Sequence, residues 1–327
     1  MTDRPTLRLK QGPSATRILG VGSTQPDRVV TNDDLSKIMD TNDQWIRDRV
    51  GIIERRFADK DELLVDMAVK AGTRALEDAG VDPSDVDTVI VPNCTMPGQI
   101  PNAAAQVADR IGIKAPGAFD LNAACAGFCY GLGVASDLIR AGSSNKVLVI
   151  GAEKLTDWVD PTDRANAIIF ADGAGAALVG GSDTPGIGPV AWGSAGDLVE
   201  SIYLRDGQWI FQEGQSVFRW ATTQIAPIAV RALELAGLQP SDVDVLIPHQ
   251  ANLRIVDAIA KKLRKLGARE EMVVADDITY SGNTSSASIP LALDHMRKAG
   301  TAKSGDVVLA VGFGAGLSYA GQAFICP

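Results

Sequence analysis

RALEDAGVDPSDVD spans residues 74–87, and RALELAGLQPSDVD spans residues 231–244. The two phrases differ at three of fourteen positions, and their first residues, Arg74 and Arg231, stand 157 apart, close to half of the 327-residue chain. That period is too long for a solenoid or a propeller and suits a duplicated domain. Each copy closes a helix. In the first, Leu63, Leu64, Met67, Ala68, Ala71, Ala75 and Leu76 recur at steps of three and four, the spacing of an amphipathic helix. Gly80 and Gly237 stop the two helices, and Pro83 and Pro240 prevent a restart. A strand follows each time, VDTVIVP at 86–92 and VDVLIP at 243–248. Both are apolar at nearly every position, as expected of strands buried on both faces.

The correspondence continues downstream. GAFDLNAACAGFCYGLGVASDLIRAG (117–142) reads as strand, turn and helix, and the apolar KVLVIGAE (146–153) follows. DDITYSGNTSSASIPLALDHMRKAG (276–300) reads the same way and leads into DVVLAVGFGAG (306–316). Glycine-rich strands close both halves, FADGAGAALVGG (170–181) and LSYAGQAFI (317–325). Adding the period of 157 to Cys125 reaches position 282, beside Asn283, so each half offers a polar residue at its strand-to-helix corner. The pattern predicts two similar α/β units, packed face to face about a pseudo-twofold axis. Residues 1–16 read as a flexible N-terminal arm, 17–183 as the first half and 184–327 as the second.

Composition narrows the function. Hydrophobic residues make up 46% of the chain and aromatics only 5%, a mix that suits tightly packed helices on buried sheets. The net charge of −9 argues against nucleic acid and anionic membranes as partners. No stretch approaches the roughly 18 apolar residues of a spanning helix. The polar MTDRPTLRLKQGPSATR start does not read as a secretory signal. Cys94, Cys125, Cys129 and Cys326 show no paired spacing and read as free thiols of a cytoplasmic protein. Two histidines cannot build a histidine-rich metal site.

Cys125 sits in LNAACAGFCYGL between small residues that leave the sulfur open to substrate. Its place at a helix start favours the thiolate, through unpaired N–H groups and the helix dipole. It reads either as a nucleophile or as an inert buried thiol. Cys129, one turn further in, reads as packing, and so do Cys94 and Cys326. His249 in LIPHQANLRI ends a buried strand, where polar residues line sites. The other reading is one structural hydrogen bond. His295 reads as a surface histidine near a helix C-terminus. Asn283 in YSGNTSSAS is, taken alone, ordinary turn chemistry. FGAG at 313–316 can present a backbone N–H to an anion but lacks phosphate-loop spacing. If the halves face each other, Cys125, His249 and Asn283 meet at the centre.

These residues carry a resemblance. From about residue 17 to the C-terminus, the chain resembles the 3-oxoacyl-acyl-carrier-protein synthase III family of condensing enzymes. The matching motifs are TNDQWIRDRVGIIERR, FDLNAACAGF, DPTDRANAIIFADGAGA, IPHQANLRI, SGNTSSASIP and GFGAGLSYA, the last closest to actinobacterial members. The resemblance implies a duplicated thiolase-like fold, α/β in class, with five layers in the order α-β-α-β-α. It implies a triad of Cys125, His249 and Asn283, with an oxyanion hole from the backbone N–H groups of Cys125 and Ala315. The implied reaction loads an acyl group from acyl-CoA onto Cys125. Condensation with malonyl-acyl-carrier protein then releases CO₂.

The resemblance also assigns recognition residues. Trp45 and Arg164 would hold the adenine of CoA between them, with Arg49 nearby and Asn252 on the pantetheine. Arg254 and Arg219 would dock the carrier protein, beside a basic helix carrying Lys261, Lys262, Arg264 and Lys265. That helix also reads as an ordinary solvated face. Ile100 would reach across a homodimer to the partner's acyl pocket, where isoleucine suits a short to medium or branched primer. No permanently bound cofactor and no metal is implied; acyl-CoA is a substrate. The stretch at 192–218 is shorter than in most of the family, which bears on tunnel access. Rival readings are a polyketide-type condensing enzyme or related acyltransferase, a Cys–His thioesterase, and a non-catalytic scaffold. A degradative thiolase would need a second cysteine in the C-terminal glycine turn, which GFGAG lacks.

Overall fold

The structure is a computed structural model that describes residues 6–98 and 100–327. Residues 1–5 of the expected arm lie outside the described residues, and the first strand already begins at Ala15. In chain order the first half contains β1 (Ala15–Thr24), β2 (Val29–Thr31), α1 (Asn32–Ser36), α2 (Asp43–Val50), β3 (Glu54–Arg56), α3 (Leu64–Ala79) and β4 (Thr88–Pro92). It continues with α4 (Ala103–Ile111), β5 (Gly117–Leu121), α5 (Gly127–Arg140), β6 (Lys146–Lys154) and β7 (Asp172–Ser182). The second half contains β8 (Ala191–Ser194), β9 (Ile202–Arg205), β10 (Trp209–Gln212), α6 (Gly214–Ala236), β11 (Val245–Pro248) and α7 (Leu253–Lys265). It ends with β12 (Val273–Val274), α8 (Ile278–Ser281), α9 (Ser288–Lys298), β13 (Val307–Phe313) and β14 (Ser318–Ile325).

The repeated phrase does end two helices. Gly80 and Gly237 cap α3 and α6 at φ +62° and +72°, a backbone region that favours glycine. Leu63 is the exception to the predicted stripe, because it stands before the helix and is exposed. Every residue of β4 and β11 is buried, as two-sided burial requires.

One five-stranded sheet has the order β1-β7-β6-β4-β5 and the other β12-β11-β13-β14-β8. Read from opposite ends, they share one pattern. β4 and β11 run parallel to both neighbours, while β6–β7 and β13–β14 are antiparallel. Residues of α3 and α4 pack on the outer face of the first sheet. Residues of α6 and α7 pack on the outer face of the second. Between the sheets, Phe128, Leu132, Ile139, Ile289 and Leu293 of α5 and α9 meet strand residues from both halves. The result is the expected five-layer α-β-α-β-α arrangement, with the central helices shared by the two cores.

One predicted strand is absent. Residues 276–281 do not extend as β5 does; instead Ile278–Ser281 forms the short helix α8. The backbone there is held from outside the sheet. Gln250 Oε1 accepts the Ile278 N–H at 3.1 Å, and Thr279 C=O accepts the Ile53 N–H at 2.8 Å. β12, only two residues long, supplies the parallel edge in its place.

Candidate active site

The two strand-to-helix corners meet between the sheets. Each is a single tight turn entered by a non-glycine residue at positive φ, Ala124 at +46° and Ser285 at +49°. In this frame Cys125 corresponds to Ser286. Asn283 corresponds to Asn122, three residues earlier in the turn. The predicted equivalence of Cys125 with Asn283 therefore shifts by one turn, because the offset between the corners is 161 rather than 157. The two residues nonetheless line one cavity of about 860 Å³, together with His249 and Ala315.

Each of the four is held by a different device. The FGAG turn lies against Cys125 so closely that a Cβ on Gly314 would stand 2.6 Å from the Cys125 backbone nitrogen. Glycine at 314 thus brings the Ala315 backbone alongside the nucleophile candidate. His249 leaves β11 with its N–H on Val311 C=O at 2.8 Å, its Nδ1 2.7 Å from Ser288 Oγ, and its ring edge-to-face with Phe313. Asn283 bridges to the first half, donating its backbone N–H to Ile169 C=O and accepting the Ala171 N–H, both at 2.9 Å. Its Oδ1 accepts the Ser285 N–H at 2.8 Å.

Burial sets the protonation states. It lowers His249 to about 3, so the imidazole is neutral at pH 7. It pushes the Cys125 thiol up to about 12, against a hydrogen bond from Ser285 that favours the thiolate. The thiolate predicted from the helix start is therefore not the resting form. The sulfur lies among apolar walls and near the buried Glu153 carboxylate, and these outweigh the helix terminus.

Beside Arg49, which lines the cavity, the Trp45 ring has two guanidinium groups against it, Arg164 at 4.6 Å and Arg49 at 5.2 Å from its centroid. Arg164 Nη1 also donates to Asp40 C=O at 2.7 Å. Arg49 and Asn252 line the cavity. Asn252 caps α7 through the Arg254 N–H and donates to Arg49 C=O. Arg219 and Arg254 are exposed on the same rim, Arg254 over the Phe218 ring. Of the basic helix, Arg264 is turned inward to the carbonyls of Glu270 and Met272, while Lys261 and Lys265 face solvent. The β9–β10 hairpin lines the cavity through Ile202, Tyr203, Leu204 and Ile210. Ile100 does not line it and is 91% exposed.

Other residues of the site were not predicted. Cys94, read as packing, lines the cavity and hydrogen-bonds Glu153. Cys129 and Cys326 do pack in the central core. Glu153 carried the same signal as His249, a polar residue at the carboxyl end of a buried strand. Ser285 and Ser288 carried none, since serines in a turn are ordinary. His295 is not simply a helix-end histidine; its Nδ1 lies 2.7 Å from Asp277 Oδ1.

Comparison with known proteins gives one consistent result. Residues 119–196 match the family described as 3-oxoacyl-[acyl-carrier-protein] synthase III, and residues 233–325 match its C-terminal domain. The chain is 48% identical to beta-ketoacyl-[acyl-carrier-protein] synthase III 4 of Streptomyces coelicolor, over 95% of this chain and 99% of that one. It is 45% identical to the mycobacterial beta-ketoacyl-[acyl-carrier-protein] synthase III of Mycobacterium avium, over 97% of each. Among solved structures, the priming β-ketosynthase of the R1128 polyketide biosynthetic pathway superposes with a TM-score of 0.94 at 43% identity, over 99% of both chains. The 3-oxoacyl-[acyl-carrier-protein] synthase III of Aquifex aeolicus superposes at 0.90 with 39% identity, over 95% of this chain and all of that one.

Proposed function

The chain belongs to the 3-oxoacyl-[acyl-carrier-protein] synthase III family, and from that premise we propose that it condenses an acyl-CoA primer with malonyl-acyl-carrier protein. The observation that carries this reading is the convergence of Cys125, His249, Asn283 and Ala315 on one cavity. In the first stage the Cys125 sulfur attacks the thioester carbonyl, an S–C bond forms, and CoA leaves as its thiol. Backbone N–H groups of Cys125 and Ala315 hold the oxyanion. In the second stage the malonyl thioester loses CO₂, and its carbonyl oxygen gathers enolate charge. His249 and Asn283 donate to that oxygen. A buried imidazole near pKa 3 is neutral, so it donates a hydrogen bond without the enolate being quenched by a full proton. The carbanion then attacks the acyl group, and a 3-oxoacyl-carrier protein leaves.

Trp45, Arg49, Arg164 and Asn252 take the CoA nucleotide and pantetheine. Arg219 and Arg254, with exposed Lys261 and Lys265, take an acidic carrier protein. Further supports are softer. β5 is an edge strand with Phe119 exposed, and Ile100 projects from the loop before α4, which fits a homodimer that shares acyl pockets. Ile100 then favours a short to medium or branched primer. Four unpaired cysteines fit a reducing, cytoplasmic setting. The likeness to a priming polyketide ketosynthase supports a second reading of pathway, in which the same condensation starts a secondary metabolite.

The test is product analysis with a panel of acyl-CoAs and malonyl-acyl-carrier protein. The expected product is 3-oxoacyl-carrier protein with one CO₂ per CoA released. Free acid without CO₂ would indicate the thioesterase instead.

A further inference from the structure

Arg55, in β3, is fully buried, and among the described residues no carboxylate pairs with its guanidinium. Glu54, its neighbour in the strand, lies 3.9 Å from Arg56 instead. Burial lowers Arg55 to about 10, so the group is still a cation at neutral pH. Burying an ion without a counter-ion is costly. An apolar side chain of similar volume would fill the same space without that cost.

An apolar side chain lacks the fork of donors, however. Arg55 Nη1 donates to Asn32 Oδ1 at 2.7 Å and to Val30 C=O at 3.4 Å. Nη2 donates to Ile168 C=O at 2.8 Å, and Nε has no partner. One planar group thus joins β2 and the start of α1 to the segment that precedes β7. Asn32 in turn donates to Ile52 C=O and to Asp43 Oδ1, each at 2.8 Å. The far arm of the fork is therefore tied to α2 and to the chain just ahead of β3.

The near arm holds the segment on which Asn283 hangs. Ile169 C=O, one residue beyond the Arg55 contact, accepts the Asn283 N–H at 2.9 Å. Asn283 C=O accepts the Ala171 N–H, also at 2.9 Å. The stem of Arg55 bears on the same place. A Cβ on Gly282 would stand 2.8 Å from the Cβ atoms of both Arg55 and Ala171, so the chain passes tightly between them just before Asn283. Ile53, two residues ahead of Arg55, donates to Thr279 C=O in α8 at 2.8 Å. Guanidinium, stem and neighbouring backbone all converge on the approach to Asn283.

We propose that Arg55 is a positioning residue that fixes the backbone of Asn283, and with it the place of the amide donor in the cavity. Arg55 does not itself line that cavity. A misplacement of about 1 Å in such a group can cost about 10² in rate. The kinetic part of this inference rests on the condensing reading, in which Asn283 donates to the malonyl carbonyl. The geometric part does not.

The experiment uses Arg55→Lys, which keeps the charge but replaces the planar fork by a single ammonium. Hydrogen exchange read by mass spectrometry comes first. The amides of Ala171 and Asn283 should exchange about tenfold faster in R55K, with those of β4 unchanged. Rates of malonyl decarboxylation and of Cys125 acylation are then measured for wild type, R55K, N283A and the double variant. R55K should slow CO₂ release about tenfold and leave acylation within about twofold of wild type. In the N283A background it should cost no more than about twofold, because its effect passes through Asn283. Exchange at Ala171 and Asn283 that matches wild type, or that rises equally in β4, overturns the proposal. So does a tenfold cost that persists in N283A. If wild type releases no CO₂ from malonyl-acyl-carrier protein, the condensing reading fails, while selective exchange at Asn283 still supports the positioning role. Should R55K not fold, Asn32→Ala carries the same exchange test, because it removes the acceptor that aims the fork; unchanged exchange at Asn283 in that variant overturns the proposal.

Discussion

The side-chain oxygen of Asn283 accepts the backbone N–H of Ser285 at 2.8 Å. That bond settles which end of the amide is presented: the oxygen is anchored, and the NH₂ is the end left for the cavity. In the proposed reaction Asn283 would then serve as a donor, and its contribution would belong to the step in which the malonyl carbonyl gathers charge. Asn283→Ala should lower the rate of malonyl decarboxylation by about 10²–10³. Acylation of Cys125 should change far less, because backbone N–H groups hold that oxyanion. Separate measurement of CO₂ release and of acyl-enzyme formation checks the split.

His249 depends on Ser288 in a similar way. The hydroxyl 2.7 Å from Nδ1 orients the ring and fixes which nitrogen bears the proton, while Phe313 holds its face. Ser288→Ala removes about 1–1.5 kcal/mol of hydrogen bonding, so condensation should slow about tenfold. His249→Ala should cost more, about 10²–10³. Steady-state kcat for the two variants checks the ranking.

On the proposed reading, stacking at Trp45 would govern CoA affinity, and Arg164, which rests on that ring, would yield its place to an adenine. Trp45→Ala should raise KM for acyl-CoA about tenfold and leave kcat nearly unchanged, since stacking of this kind is worth about 0.5–1.5 kcal/mol and is spent on ground-state binding. Initial rates of acylation against acyl-CoA concentration provide the measure.

The His295–Asp277 pair gives the protein a pH-dependent increment of stability. Burial opposes the charge on His295, but the Asp277 carboxylate more than offsets it, and the net shift is upward. A folded pKa above the unfolded value means that the protonated form is favoured by folding. The increment is therefore complete below the unfolded histidine value near 6.5 and is lost as pH rises through the folded one. Urea midpoints from pH 5.5 to 8.5, wild type minus His295→Gln, should show a difference that shrinks toward higher pH.

The sequence made the architecture legible because duplication left its mark where packing is least forgiving. Helix-ending glycines and doubly buried strands cannot drift far, so the phrase at Arg74 and Arg231 survives and predicts two stacked units. The meeting of Cys125, His249 and Asn283 at one cavity was expected from the same logic, whereas Ala315 came only from the resemblance. The alignment of the corners themselves was misplaced, because loop lengths differ between the halves and a fixed period of 157 falls four residues short of the observed 161. The thiolate at Cys125 was misjudged for a different reason. A helix start is visible in sequence, whereas the desolvation that opposes it depends on walls drawn from both halves. Ser285 and Glu153 were hidden in the same way. One is a serine in a serine-rich turn, and the other becomes a site residue only when β6 meets the second corner.

The most direct test of the account is intact mass of the protein after exposure to acyl-CoA and then to malonyl-acyl-carrier protein. Wild type should gain one acyl mass, retain it until the carrier protein is added, and lose it as 3-oxoacyl-carrier protein forms; Cys125→Ala should gain none. An adduct that persists in Cys125→Ala, or one that discharges to free acid with no carrier-bound product, would contradict the assignment of Cys125 as the nucleophile of a condensing enzyme.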